Sequence, residues 1–269
     1  MLVFVVPLKS PGISKSWERV SKLFERSVKS ICNQTSNNFR AIVVCSEKPK
    51  IEFNHPNIIY IEKDFGVPIP DWKNKNLDRT RKLITGLDYA KQIKPSHIMC
   101  VDADDCVSKY LAEFVDRHYQ ANGWLIKKGY IYAEGSKLIR IMRKGFDRYC
   151  GTSNIIRYDL YDVPEIIDDI TMDEYTECLF NHYRHREIGD TLAKKGHILE
   201  PLPFAGAIYN TRHQDNQFYG VEDQNRPINL KIRLLKFKAL FDARWVNKSI
   251  RDEFKLYNIN DDVNYLLSI

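Results

Sequence analysis

No apolar run in these 269 residues approaches the roughly 20 that a membrane-crossing helix needs, so no such helix is expected. Cysteine is scarce and scattered: Cys32, Cys45, Cys100, Cys106, Cys150 and Cys178 form no C-x-x-C pair. That spacing argues against a zinc site or a disulfide framework and suits reduced, mostly buried thiols in a cytosolic protein. Glycine is missing where a phosphate-cradling loop would need it, since Pro7 to Gly12 holds only one. There is no internal repeat, no low-complexity tract and no recognisable nucleic-acid module. A net charge of +6 does not by itself demand a nucleic-acid partner, and none is expected. Met1 to Pro7 has neither a basic leader nor a small-residue cleavage site, so it reads as a first strand and the expected location is cytoplasmic.

What is present alternates between two periods. Leu2 to Val6, Ala41 to Cys45 and Ile58 to Ile61 are short β-branched runs that read as buried strands. From Ser16, Trp17, Val20, Leu23, Phe24, Ser27, Val28 and Ile31 recur three and four apart, predicting a helix that ends near Gln34. Asp64 to Asn76 is polar and carries prolines, which predicts a long loop. Asn76 or Asp78 would then cap a helix with Leu77, Leu83, Ile84, Leu87 and Ala90 on its apolar face. Beyond a helix expected from Val107 to Ala121, strands are predicted at Tyr130 to Ala133, after Gly151-Thr152-Ser153, and at Ala207 to Asn210. A helix is predicted from about Glu187 to Lys195, stopped by Gly196. Strands alternating with helices predict an α/β fold, a largely parallel sheet with helices on both faces.

The chain is organised around Ile98-Met99-Cys100-Val101-Asp102-Ala103-Asp104-Asp105, an apolar run that ends in three carboxylates. Carboxylates this close repel one another and raise each other's pKa unless a cation sits among them. Hard oxygen ligands suit Mg²⁺ or Mn²⁺, and an ion held by one or two carboxylates keeps positions open for nucleotide phosphates. An exposed acidic turn is the plainer reading. The placement, at the carboxyl end of a strand after two strand-helix units, is where open α/β sheets bind ligands.

In this order, the strand ending at Pro7, the helix with Leu23, Ser27, Ser30, Ile31 and Gln34, the strand Ala41 to Cys45 and Val101-Asp102-Ala103-Asp104-Asp105 resemble the family 2 glycosyltransferases of the GT-A fold. The resemblance covers residues 1–120 well and extends weakly to about 216. It implies a mostly parallel mixed sheet flanked by helices. It also implies a metal-dependent transfer of a hexose-type sugar from a nucleoside-diphosphate sugar, UDP-sugars favoured. The acceptor would be a hydroxyl of a saccharide or a lipid-linked molecule, in cell-surface polysaccharide or glycan synthesis. By the same resemblance Asp102 contacts the nucleotide, and Asp104 holds the metal, Mn²⁺ or Mg²⁺. Ala103 and Asp105 lie against the donor, Asp105 as a supporting or donor-sugar contact. Pro7, Leu8 and Glu47 (or Ser46) border the base, Asp78 and Arg79 the phosphates or sugar. Late in the chain, His213 would complete the metal shell and Arg212 would offset leaving-group charge.

One departure concerns the base. Inverting relatives carry a Glu-Asp pair about twelve residues before a helix-ending glycine, and counting back from Gly196 gives Arg184-His185. His185, His182, Glu187, or an acid from Asp168-Asp169 or Asp173-Glu174 would have to serve; His185 and Glu187 are the candidates retained. From Asn229 onward the chain is expected to be helical. Nine Lys or Arg against three acids between Arg226 and Lys255 suggest either a solvated docking face or peripheral contact with an anionic membrane. The expected division is 1–225 as the catalytic unit, with halves 1–120 and 121–225, and 226–269 as a basic helical extension. A nucleotidyltransferase and a non-catalytic nucleotide-sugar binder are the competing readings.

Overall fold

The computed structural model describes residues 1–69, 71–161, 163, 185–211 and 241–259. In chain order it contains β1 (Leu2–Pro7), α1 (Trp17–Ile31), β2 (Phe39–Cys45), β3 (Ile58–Glu62), α2 (Trp72–Ile93), β4 (His97–Cys100) and β5 (Cys106–Val107). There follow α3 (Leu111–Arg117), β6 (Gly123–Leu125), β7 (Gly129–Ala133), β8 (Leu138–Met142) and β9 (Asn154–Arg157). The last are α4 (Ile188–Lys194), β10 (Glu200–Pro201), β11 (Ala207–Thr211), β12 (Ala243–Trp245) and α5 (Lys248–Phe254). The expected architecture, a mostly parallel mixed sheet flanked by helices, is the one observed.

The larger sheet has the order β10-β6-β9-β4-β1-β2-β3. β1, β2, β3 and β4 are mutually parallel, and β9 enters antiparallel beside β4. Every residue of β1 is buried, because the sheet is covered on both faces. Leu2, Phe4 and Val6 pack with Val20, Phe24, Val28 and Ile31 of α1, while Val3 and Val5 pack with Leu83, Leu87 and Ala90 of α2. Strand alternation thus turns a continuous apolar run into two half-cores. α2 lies close enough to the sheet that a Cβ at Gly86 would sit 2.4 Å from Val5 Cγ1.

A smaller sheet, β12-β8-β7-β11-β5, continues from the acidic turn. Ile250, Phe254 and Leu256 cover it by packing with Cys106, Tyr132, Ile139 and Ile208. The stretch read as helical from Asn229 onward therefore contains a strand, Ala243–Trp245, in its described part. Residues 212–240, which hold Arg212, His213 and most of the basic stretch, lie outside the described residues, as do His182 and the acids at 168–174.

Three elements differ from expectation for local reasons. α2 starts at Trp72, not after Asn76, because Asp71 caps it: Oδ1 accepts from the Asn74 N–H at 2.7 Å and Oδ2 from Asn74 Nδ2 at 2.6 Å. After Trp72 its first turn is polar, Lys73 to Asn76, and carries no apolar period to read. The expected helix 107–121 is a two-residue strand followed by the shorter α3. α1 stops at Ile31, leaving Gln34 to bond Ser108 O (3.1 Å) and accept from the Ala112 N–H (2.9 Å), which satisfies an end of α3. Ser30 Oγ likewise accepts from the Val107 N–H at 3.0 Å. Ser30 and Gln34 are thus the struts that hold the segment after the acidic turn. Among the described residues no helix is long and apolar enough to cross a membrane.

Candidate active site at the carboxyl edge of the parallel sheet

β4 stays in register with β1 through Val101, whose N–H donates to Val5 O at 2.9 Å, and the chain then turns so that the Asp105 N–H reaches Asp102 O at 3.0 Å. The turn separates the three carboxylates into different environments. Asp102 is about a quarter exposed, and its Oδ1 accepts from both Arg79 Nε (2.8 Å) and Arg79 Nη2 (2.6 Å). Arg79 comes from α2, so the helix on one face delivers a guanidinium to the acid at the strand end. Asp102 Oδ2 lies against the main chain of Gly151, where a Cβ would stand 2.3 Å from it.

Asp105 is fully buried, and both of its oxygens are engaged. Oδ1 accepts from the Asn210 N–H at 3.0 Å, and Oδ2 from Thr152 Oγ1 at 2.6 Å and Cys150 Sγ at 3.2 Å. Thr152 Oγ1 also accepts from the Asp102 N–H at 2.9 Å. One hydroxyl therefore ties the buried acid to the exposed one. Burial pushes the Asp105 carboxyl well above the usual range, the charges of Asp104 and Asp102 add to this, and the Thr152 and Asn210 bonds oppose it. Burial, with Asp105 beside it, also raises the Cys150 thiol, which is a packing group here.

The other expected residues are distributed around this turn. Pro7 ends β1, and Leu8, fully buried, gives its carbonyl to Lys82 Nζ at 2.8 Å. Asp78 is no helix cap: it sits inside α2, 6% exposed, paired with Lys82 at 2.8 Å. Glu47 is exposed just beyond β2, and Ala103 and Asp104 lie half-buried in the turn. His185 lines a cavity of about 230 Å³ with Lys127, Asp147, Arg148 and Arg186. Its carbonyl accepts from Asn154 Nδ2 at 3.2 Å, which sets it beside the start of β9 and hence near the same sheet edge. Glu187 is exposed and does not line that cavity.

Gly151, Thr152 and Lys82 were missed as site residues. The first two belong to a segment recognisable as a turn into a strand. Lys82 has Asp78 one helical turn away, but its other partners, Ser10 and Leu8, are 72 and 74 residues distant in sequence.

Among the described residues no three His, Cys, Asp or Glu side chains converge as a metal cage. The donor set still fits a hard divalent ion that keeps most of its positions for substrate. Asp104, half-buried in the same turn, and Asp102 Oδ2 are the carboxylate oxygens that would hold it.

No protein-family model matches the sequence, and no curated protein matches it. Among solved structures it is similar to that of S. aureus TarS 1-349, with a TM-score of 0.45 at 14% identity, covering 78% of this chain and 60% of that one. The complex of the same TarS fragment with UDP-GlcNAc gives a TM-score of 0.43 at 14% identity, covering 79% and 59%. Francisella tularensis 2-C-methyl-D-erythritol 4-phosphate cytidylyltransferase gives 0.35 at 12% identity, covering 88% and 98%. The chain thus spans about three-fifths of the length of the TarS fragment.

Proposed function

We propose that the protein is a glycosyltransferase that takes a nucleoside-diphosphate sugar, UDP-linked by preference, and passes a hexose-type sugar to a hydroxyl of a saccharide or lipid-linked acceptor. The observation that carries this reading is the Arg79–Asp102 pair at the carboxyl end of β4, with Asp104 in the same turn. A guanidinium and an accessible carboxylate at that edge suit a diphosphate and the ion that accompanies it.

In this reading Arg79 exchanges its bond to Asp102 for the donor phosphates and holds the departing diphosphate. Asp102, released, accepts from the ribose hydroxyls. Asp104, with Asp102 Oδ2, would hold Mg²⁺ or Mn²⁺, which when bound neutralises charge on the leaving group. Asp105, Thr152 and Gly151 keep the turn rigid, so that no reorganisation is needed when charge develops. His185, which lines the neighbouring cavity, is better placed than the exposed Glu187 to take the acceptor proton. Attack from the face opposite the diphosphate would invert the anomeric carbon.

Calorimetric titration with UDP, with and without Mn²⁺, tests the donor site. Wild type should bind UDP more tightly with Mn²⁺, and Asp104→Ala should lose that gain while keeping its fold by circular dichroism. Equal binding by wild type and variant would remove Asp104 from the site. Absence of UDP binding under any condition would sink the reading as a whole.

A further inference from the structure

The connections that leave the carboxyl ends of β1, β2 and β3 lie side by side, since those strands are neighbours in the sheet. Bonds tie them into one surface. The Lys63 N–H donates to Cys45 O at 2.9 Å, and the Ser10 and Ser46 hydroxyls meet at 2.9 Å. The connection after β3 also reaches the one after β1, where Val67 Cγ1 comes within 2.9 Å of the place a Cβ on Gly12 would take.

This surface is basic. Segments 8–16, 46–50 and 63–75 hold seven lysines against Glu47, Asp64 and Asp71, an excess of four in a chain whose net charge is +6. Lys15, Lys48, Lys50 and Lys73 are exposed. It is also apolar at one point. Phe65 packs on the α2 side of the core, with Lys63 Nζ 5.4 Å from its ring centre. Gly66 then turns the chain with a φ of 76°, its N–H donating to Asp64 Oδ1 at 2.8 Å. The turn breaks the strand alternation, so Val67 and Ile69 do not follow Phe65 inward. Val67 is 73% exposed and Ile69 63%.

Single exposed aliphatics are ordinary, but two on one anchored turn, set in a basic field, fit a partner that is anionic and apolar at once. A dissolved polyanion would answer the lysines and leave Val67 and Ile69 in water. An apolar protein groove would answer the two aliphatics and leave the lysines. The interface of an anionic bilayer answers both. We propose that this edge is a membrane-contact surface, with Val67 and Ile69 entering the interface and the lysines facing anionic headgroups. The Arg79–Asp102 pair stands on the same carboxyl edge, and α2, which carries Arg79, begins at Trp72 directly after the loop. The candidate site is thereby held at the lipid surface, which selects the lipid-linked acceptor over the free saccharide. That choice of acceptor rests on the nucleotide-sugar reading; the contact with lipid does not.

The test is co-sedimentation with vesicles of phosphatidylcholine alone and of phosphatidylcholine mixed with phosphatidylglycerol. Wild type should bind the mixed vesicles about tenfold or more tightly than the neutral ones, and high salt should remove the difference. Val67→Ser with Ile69→Ser should weaken binding to mixed vesicles about tenfold. Lys48→Gln with Lys50→Gln and Lys73→Gln should weaken it about tenfold or more. Both variants should keep the wild-type thermal midpoint and the wild-type affinity for UDP with Mn²⁺, since these side chains are exposed and outside the donor site. Variants that bind vesicles as wild type does would overturn the proposal and move the contact elsewhere, as to the basic stretch 226–255. Wild type that sediments with neither kind of vesicle would overturn it and assign the patch to a protein partner. A fall in UDP affinity in the same variants would make the loop part of the donor site and overturn it as well. Wild type that binds mixed vesicles but no UDP would leave the surface standing and remove only the nucleotide-sugar reading, with the choice of acceptor.

Discussion

Replacing Gly151 by alanine adds one methyl group at the point where the site is tightest. Its φ is not in the left-handed region, so alanine meets no backbone penalty there and the effect is purely one of space. The new Cβ would stand 2.3 Å from Asp102 Oδ2, 3.2 Å from Asp102 Cγ and 3.2 Å from Arg79 Nη2. An Asp side chain is short, and this one is pinned on its other oxygen by two bonds from Arg79. Relief requires breaking one of those bonds or shifting main chain, so the cost should be that of overpacking, about 1–3 kcal/mol. Urea unfolding of wild type, Gly151→Ala, Asp102→Ala and the double variant measures it. With Asp102 truncated the clash is gone, so the alanine should cost close to nothing in that background, a coupling of about 1–3 kcal/mol. In parallel, UDP affinity should fall in Gly151→Ala because Asp102 and Arg79 are displaced together. A Gly151→Ala protein as stable as wild type, or two losses that simply add, would refute the claim that this glycine is required by the close approach of Asp102.

Two further expectations concern stability. The buried pair Arg26–Glu134, joined at 2.8 Å and 3.2 Å, also binds Tyr257 O, the Ile259 N–H and Asn210 Nδ2, and so clamps α1, β11 and the end of α5 together. Glu134→Ala should lose about 3–5 kcal/mol in chemical denaturation, while Arg26→Met with Glu134→Leu should lose much less; a loss below about 1 kcal/mol for Glu134→Ala would show the clamp to be unimportant. His97 is wholly buried, tilted against the Trp124 ring and bonded to Ala121 O, and burial holds its imidazole below the ordinary value of 6.5. The unfolded chain therefore takes up a proton that the folded one refuses. Stability from this group is complete above about pH 6.5 and falls below it, by at most about 1.4 kcal/mol per pH unit. Urea midpoints from pH 7.5 to 5.5 should show this slope, and His97→Phe should flatten it; an unchanged slope in the variant would assign it elsewhere.

Much of the first half of the chain was legible because its signals are local and periodic. The runs at Leu2, Ala41 and Ile58 are short and β-branched and all form strands, the first two buried as expected, the third only half-buried because it lies at the sheet edge. The spacing from Trp17 to Ile31 gives α1 and most of its buried face, Val20, Leu23, Phe24, Ser27, Val28 and Ile31, though not the buried Ser21, Arg26 and Ser30. The chemical grouping at Asp102 to Asp105 could be picked out because the carboxylates are contiguous and follow a strand. Elements without a period were not readable. After Trp72 the start of α2 is polar, β6 has three residues, and a two-residue β5 exists only because β11 returns to pair with it.

The sequence by itself determined that strands and helices alternate and that acids stand at the end of β4, since both are written in neighbouring residues. Only the tertiary structure decided what surrounds each acid. Burial under Thr152, Cys150 and Asn210, from 45 to 105 residues away, engages both oxygens of Asp105, while Arg79 claims Asp102. It also converted Asp78 from a supposed cap into the counter-ion of Lys82. The physical reason is the same in each case. A side chain's protonation and polarity are set by desolvation and by the partners that fold against it, and those partners are distant in sequence.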